Sequence, residues 1–283
     1  MKRIILLLSG ISFALAGIAQ TDSTRKEPKN EGDTIRIGNI LIIKDGRNRD
    51  DDRDNKDTTV QIQRRKHYKP SNVSTNWWIV DLGISQFNDK TNYANAVASG
   101  FLPASPGNKE EWFNLRNGKS INVNIWVFMQ RLNMVKHYVN LKYGLGIEMN
   151  NYRFTENIRF QKTSSPRVLM DSIDFTKNKL AADYVTLPMM LNFNFTPDRR
   201  RGFGFSAGAS VGYLYNSRQK TIGGSEGKKK VHDDFGLEKW KLSYIGELQL
   251  GPVKLYGSYA TKSMFKNGLD FTPYNIGIRL SNW

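Results

Sequence analysis

Between Trp77 and Trp283 the chain alternates apolar and polar residues with period two in eight separate runs. Period two marks strands with two unlike faces. The apolar faces are Trp78, Val80, Leu82 and Ile84, then the odd positions of Ile121–Met129, Val139–Met149, Val185–Phe195 and Phe203–Tyr213. Leu242, Tyr244, Leu248 and Leu250 follow, then Val253, Leu255 and Tyr259, then Tyr274, Ile276, Ile278 and Leu280. Each long run is about 9–11 residues, the length with which a tilted strand crosses a bilayer. Pro188 lies inside the fourth run. Proline removes a ladder donor, so it predicts an edge or a bulge.

Soluble sandwiches also alternate, and two features decide against one. The polar faces carry charges of both signs: Asp81, Glu148 and Glu247 with Lys142, Lys241, Lys254 and Arg279. Tyr and Trp also fall near run ends (Trp78, Tyr138, Tyr184, Tyr213, Tyr215, Trp240, Tyr274, Trp283), as the aromatic girdles of a membrane barrel require. Connections alternate between short turns (135–137, 196–202, 251–252) and long polar segments (88–119, 156–182, 217–239, 262–271). An open sheet edge is not tolerated in lipid, so the first strand must pair with the last. The expected fold is all-β, an eight-stranded antiparallel transmembrane β-barrel over residues 77–283. An even strand count returns both termini to one side, the periplasm, with the long connections outside.

Past Asn150-Asn151 the apolar residues become even-numbered (Tyr152, Phe154, Ile158, Phe160), which predicts a bulge at the membrane rim. An eight-stranded barrel is filled by side chains. Trp126, Phe128, Met190 and Tyr256 are expected inside by parity. The seven lumen charges then read as a structural network, because an unpaired buried charge costs several kcal/mol. A proton or ion path is the functional alternative.

The N-terminus reads as an export signal. Lys2 and Arg3 precede the apolar run Ile4–Leu15, and Gly17 and Ala19 stand at −3 and −1 of a cleavage after residue 19. Export demotes nucleic acid as a partner despite a net charge of +16. Residues 20–76 form a polar segment with too few apolar residues to offset its ordering entropy, expected as a mostly disordered periplasmic arm. Its one β-rich island, residues 33–45, centres on Gly38-Asn39 and predicts a small hairpin. That island is the candidate contact for a periplasmic protein partner.

Chemistry is sparse. The chain has no Cys, which excludes thiol catalysis, disulfides, Cys-ligated metals and a lipid-anchored N-terminus. His67, His137 and His232 have no nucleophile or paired carboxylate on a common strand. His232-Asp233-Asp234 reads as solvated loop, and Gly223–Lys230 fails the phosphate-loop spacing and reads as a flexible basic loop. No catalytic, cofactor or metal residue is expected, and no enzyme activity. The remaining surface signal is basic: Arg153, Arg159, Lys162, Arg218 and Lys220 lie in the long connections and are candidate contacts for glycolipid phosphates.

Asn151–Phe154, Thr176–Leu180, Tyr184–Phe193, Asp233–Phe235, Leu255–Tyr259 and Pro273–Leu280 together resemble the outer-membrane β-barrel domain proteins of Gram-negative bacteria, in particular the PorT-like group. The resemblance covers most of Trp77–Trp283 and implies an outer-membrane barrel without implying a reaction; PorT itself is tied to a secretion system. The end, Gly277–Trp283, is similar to the signal read by the barrel-assembly machinery, with the final aromatic displaced past Asn282. The expected partners are outer-membrane lipid and glycolipid, and the assembly machinery during biogenesis. The expected function is non-enzymatic, structural or binding, through outer loops and arm. The alternatives are a secretion or envelope-assembly component, a narrow channel, or a lipid-modifying enzyme.

Overall fold

A computed structural model describes residues 34–37, 40–43, 70–105, 107–161, 167–199, 202–224 and 227–281. The signal segment, most of the arm, Lys162 and Trp283 lie outside the described residues. Residues 1–66 and 67–283 form separate units. In the first, β1 (Thr34–Ile37) and β2 (Ile40–Ile43) pair antiparallel, with Ile37 opposite Ile40.

The second unit is a closed ring of eight strands. In order they are β3 (Val73–Asp89), β4 (Ile121–Val135), β5 (Val139–Phe154), β8 (Lys177–Asn194), β9 (Phe203–Gly223), β11 (Trp240–Leu250), β12 (Val253–Ala260) and β13 (Phe271–Leu280). Each pairs antiparallel with its neighbour in sequence, and β13 closes on β3 with Arg279 opposite Asp81. Outward-facing Leu82, Ile84, Leu187, Met189, Val211, Leu242, Leu248, Ile276 and Ile278 are exposed. An apolar belt running round a molecule exceeds what a soluble surface carries. Lipid is the solvent that suits it. Trp77, Trp78, Tyr138, Tyr213, Tyr215, Trp240 and Tyr274 are exposed along its borders, and the Tyr213 and Trp240 rings lie 5.0 Å apart.

Short turns close one end of the ring. Leu250 and Val253 pair across Gly251-Pro252, and Gly251 takes φ +64°, open to glycine without a Cβ clash.

At the other end β5, β8 and β9 run beyond the apolar belt, and the long connections fold into a cap. Helix α1 (Tyr93–Ala98), a 3-10 turn at Glu110–Phe113, a hairpin of β6 (Ile158–Gln161) and β7 (Arg167–Met170), and β10 (Gly227–His232) build it. These connections are not solvated polar loops. Each supplies apolar residues to one buried core: Phe101, Leu102, Trp112 and Phe113 from the first, Ile158, Phe160 and Val168 from the second, Phe235 and Leu237 from the third, Met264, Phe265 and Leu269 from the fourth. Phe265 stacks with Phe160 at 6.0 Å and meets Phe271 edge-on at 5.6 Å.

Four expectations change. First, the ladders of β5 run through Asn150–Phe154 without a register shift, so no bulge lies there. Even-numbered residues stay inside throughout; they turn apolar because the interior becomes the cap core. Second, bulges lie elsewhere. On β4 a shift between Trp126 and Phe128 turns Met129 inward, fully buried, and leaves Phe128 half-exposed against Trp77. On β9 a shift opposite Asp183 and Tyr184 inserts one residue near Tyr215 and reverses the faces beyond it. Third, Tyr184 is not a girdle residue; at 3% exposure it belongs to the cap core. Fourth, in the segment read as a basic loop, Gly227 to Lys230 pair back against Gly223 to Lys220 of β9. Pro188 sits mid-strand facing inward, beside the gap in the β5–β8 ladder at Gly144-Leu145.

Candidate functional site

The lumen is where the sequence concentrates chemistry. The strands bring all seven predicted charges into it, and none is more than 8% exposed. Arg279 on β13 makes a two-pronged pair with Asp81 on β3, Nε to Oδ1 at 2.7 Å and Nη2 to Oδ2 at 2.8 Å. Its Nη1 reaches Glu247 Oε2 on β11 at 2.5 Å. Lys142 on β5 crosses the barrel to Glu247 Oε1 at 2.6 Å. Lys241 pairs with Glu148. Lys254 donates to Ser281 Oγ at 2.6 Å.

Neutral donors complete the shell. Trp126 Nε1 donates to Asp81 Oδ2 at 2.7 Å and Asn124 Nδ2 to the same oxygen at 3.2 Å. Asn150 and Asn275 donate to Glu148 Oε1 at 2.9 and 3.2 Å. Ser85 donates to Asn275, and Tyr256 donates to Asn122 Oδ1 at 2.5 Å. Charges withdrawn from water cost several kcal/mol each unless paired and hydrogen-bonded, and here the carboxylates collect several partners apiece. The arrangement cross-links strands that are not neighbours, β5 to β11, β5 to β13 and β11 to β13.

The interior is therefore filled twice. Asp81, Trp126, Glu148, Met190, Tyr256 and Arg279 are among the residues that surround a cavity of about 20 Å³, room for about one water. Above them Tyr152, Phe154, Tyr184 and Phe271 begin the dry cap core. Among the described residues no three His, Cys, Asp or Glu side chains are grouped to hold a metal ion. His232 stands near Asn216, 3.2 Å from Nδ1 to Oδ1, and is exposed.

The predicted surface cations separate. Arg159 is committed to the cap: its Nε meets Asp171 Oδ2 at 2.5 Å and its guanidinium lies 5.5 Å from the Phe175 ring centre. Arg153, Arg218 and Lys220 come together on the outward face of the extended sheet, and Lys179, read in sequence as part of a loop, joins them. Its signal was the alternation Lys177-Asn-Lys179, which continues the fourth strand.

A closed antiparallel ring with an apolar belt, aromatic borders and a polar, filled interior defines an outer-membrane β-barrel of the small, non-porin class. The chain belongs to the outer membrane protein beta-barrel domain family, whose model matches residues 78–265. No curated protein matches the chain in sequence. Among solved structures it is similar to Ail, the attachment invasion locus protein of Yersinia pestis, at 13% identity. The match covers 73% of this chain and 98% of that one, with a TM-score of 0.29.

Proposed function

We propose that the barrel is a sealed, non-enzymatic outer-membrane protein that binds through the capped end, which faces outward, with both termini in the periplasm. The observation that supports this is the double closure of the lumen: a salt-bridged polar layer beneath an aromatic core. A solute would have to break buried ion pairs and then part packed Phe rings. The long connections are spent on a rigid cap, and rigid loops are what a binding surface needs. Planar-bilayer recordings on the purified barrel test it. A flat trace is expected; discrete, reproducible conductance steps would overturn the sealed reading. Trypsin added to intact cells should cut at the capped end and leave the short turns intact.

A second reading, that the protein serves a secretion or envelope-assembly system, draws on the β1–β2 pair and on the resemblance to the PorT-like group. A two-stranded sheet is marginal alone and offers unpaired edges to a partner strand. Photo-crosslinkers placed between Asp33 and Asp45 should capture one defined protein. A smear of unrelated products counts against it.

A further inference from the structure

Where β5, β8, β9 and β10 pass the apolar belt, their register sets Arg153 opposite Lys179, Lys179 opposite Lys220, and Lys220 opposite Lys230. Residues directly opposite in a ladder share a face. Four cations thus stand in one row across four adjacent strands, with Lys177, Arg218 and Lys228 two positions away on the same face. The alternate residues Asn178, Leu180, Gln219 and Thr221 are buried, so the row points away from the cap core. Four strands at about 4.8 Å spacing make a row about 14 Å long.

Among the described residues of this stretch of sheet most of the charge is left unbalanced. Its one carboxylate is Asp183, itself buried, whose Oδ2 is taken by Arg218 and by Asn216 at 2.7 Å. Lys179 donates to the neutral Asn151 at 2.7 Å, and Arg153 to the Thr176 carbonyl at 2.8 Å. Among the described residues no carboxylate lies within ion-pair distance of Lys179, Lys220 or Lys230. Like charges placed directly opposite destabilise a sheet. Here burial, then Lys177, Arg218 and Lys220, push Lys179 down to about 8. The bulge near Tyr215 is what turns Arg218 and Lys220 outward. Repulsion of this kind is relieved by an anion that bridges several strands.

The position of the row selects the source of that anion. On β9 the lipid-facing residues Val211, Tyr213 and Tyr215 lead straight to Arg218, three residues on, about 10 Å along the strand. The same surface thus passes from apolar belt to aromatic border to cations. Headgroups follow hydrocarbon in the same order. We propose that the row Arg153–Lys179–Lys220–Lys230 binds the phosphate groups of a phosphorylated glycolipid in the leaflet around the capped end. It rests on the reading that this end faces outward. Paired phosphates on one sugar headgroup suit a row of several cations better than a point site, because charge-assisted contacts form with more than one strand at once.

The full-length protein in phosphatidylcholine nanodiscs, with bisphosphorylated lipid A or its dephosphorylated form, tests this by native mass spectrometry of retained lipid. The phosphorylated form should be retained preferentially, and salt should weaken it. K179Q/K220Q should weaken retention about 30-fold, from two charges removed near a charged surface. K136Q/R199Q, at the short turns, should retain lipid like the parent. Equal retention of the two lipids would overturn the proposal. So would an unchanged K179Q/K220Q variant that still shows the heat-dependent gel shift of a folded barrel. Displacement of the lipid by equimolar free pyrophosphate would overturn the lipid assignment in favour of a soluble anion. Retention is read independently of conductance, so failure here and failure of the sealed-barrel reading are distinguishable.

Discussion

Glu247 shows what a single residue holds in this barrel. It accepts from Lys142 on one oxygen and from Arg279 on the other. Glu247→Gln removes the charge that compensates two buried cations, and breaking a buried pair costs about 3–5 kcal/mol. The urea midpoint of the lipid-folded barrel should fall accordingly, and Glu247→Asp, which keeps the charge at a shorter reach, should fall less. Gly83 is constrained by space instead. A Cβ there would collide with the Ile276 carbonyl and the Tyr256 hydroxyl, so Gly83→Ala should slow refolding and lower stability in the same assay. Lys179 gives a pH signature outside the membrane. Its folded-state value near 8 lies below the ordinary 10.5, so between those values the unfolded chain binds more protons than the folded one. Stability should rise as pH increases through that window, most visibly in the cap, and Lys179→Gln should flatten the slope. Half-exposure of the side chain keeps the effect small.

Elements were legible in the sequence wherever burial follows a period. All eight barrel strands were visible as alternation, because one face meets lipid and the other a polar lumen. Alternation also located Asp81, Lys142, Glu148 and Arg279 on the inner face before any partner was known. It misplaced Phe128 and Met129, because a one-residue bulge flips every side chain beyond it without leaving a mark in composition. The cap was invisible for another reason. Phe101-Leu102, Trp112-Phe113 and Met264-Phe265 are isolated pairs in polar segments, and they become a core only through contacts between four connections. The basic row was half legible: Arg153 and Lys220 were chosen by charge and Lys230 lay in a segment read as a basic loop, yet only the register shows that Lys179 joins them into one line with Arg218 beside it. The cap core yields a prediction at this scale. Phe265→Ala removes a ring that meets Phe101, Phe160 and Phe271, and such truncations cost about 3–5 kcal/mol. The loss should fall on the cap alone. Limited proteolysis should cut the connections sooner while the heat-dependent gel shift survives.

At the largest scale residues 67–283 read as a ladder-closed cylinder with two independent fillings, a polar one that ties strands together and an apolar one that ties connections together. Closure pairs both edges of each of the eight ring strands from within residues 73–280. The first described hydrogen bonds that hold β3 in place come from just before it, with Asn72 receiving the Asn133 amide at 2.7 Å. Residues 1–66 form a separate unit, and every described pairing of the eight ring strands lies within residues 73–280. Deleting residues 20–69 should therefore leave a barrel that inserts, resists detergent and shifts mobility only on boiling. Deleting residues 20–78 also removes Val73 to Trp77, which pair with Leu132 to Phe128 on β4, and should abolish the shift. If the shorter deletion also abolished it, the arm would be part of the folding unit, and the two-part organisation of the chain would have to be abandoned.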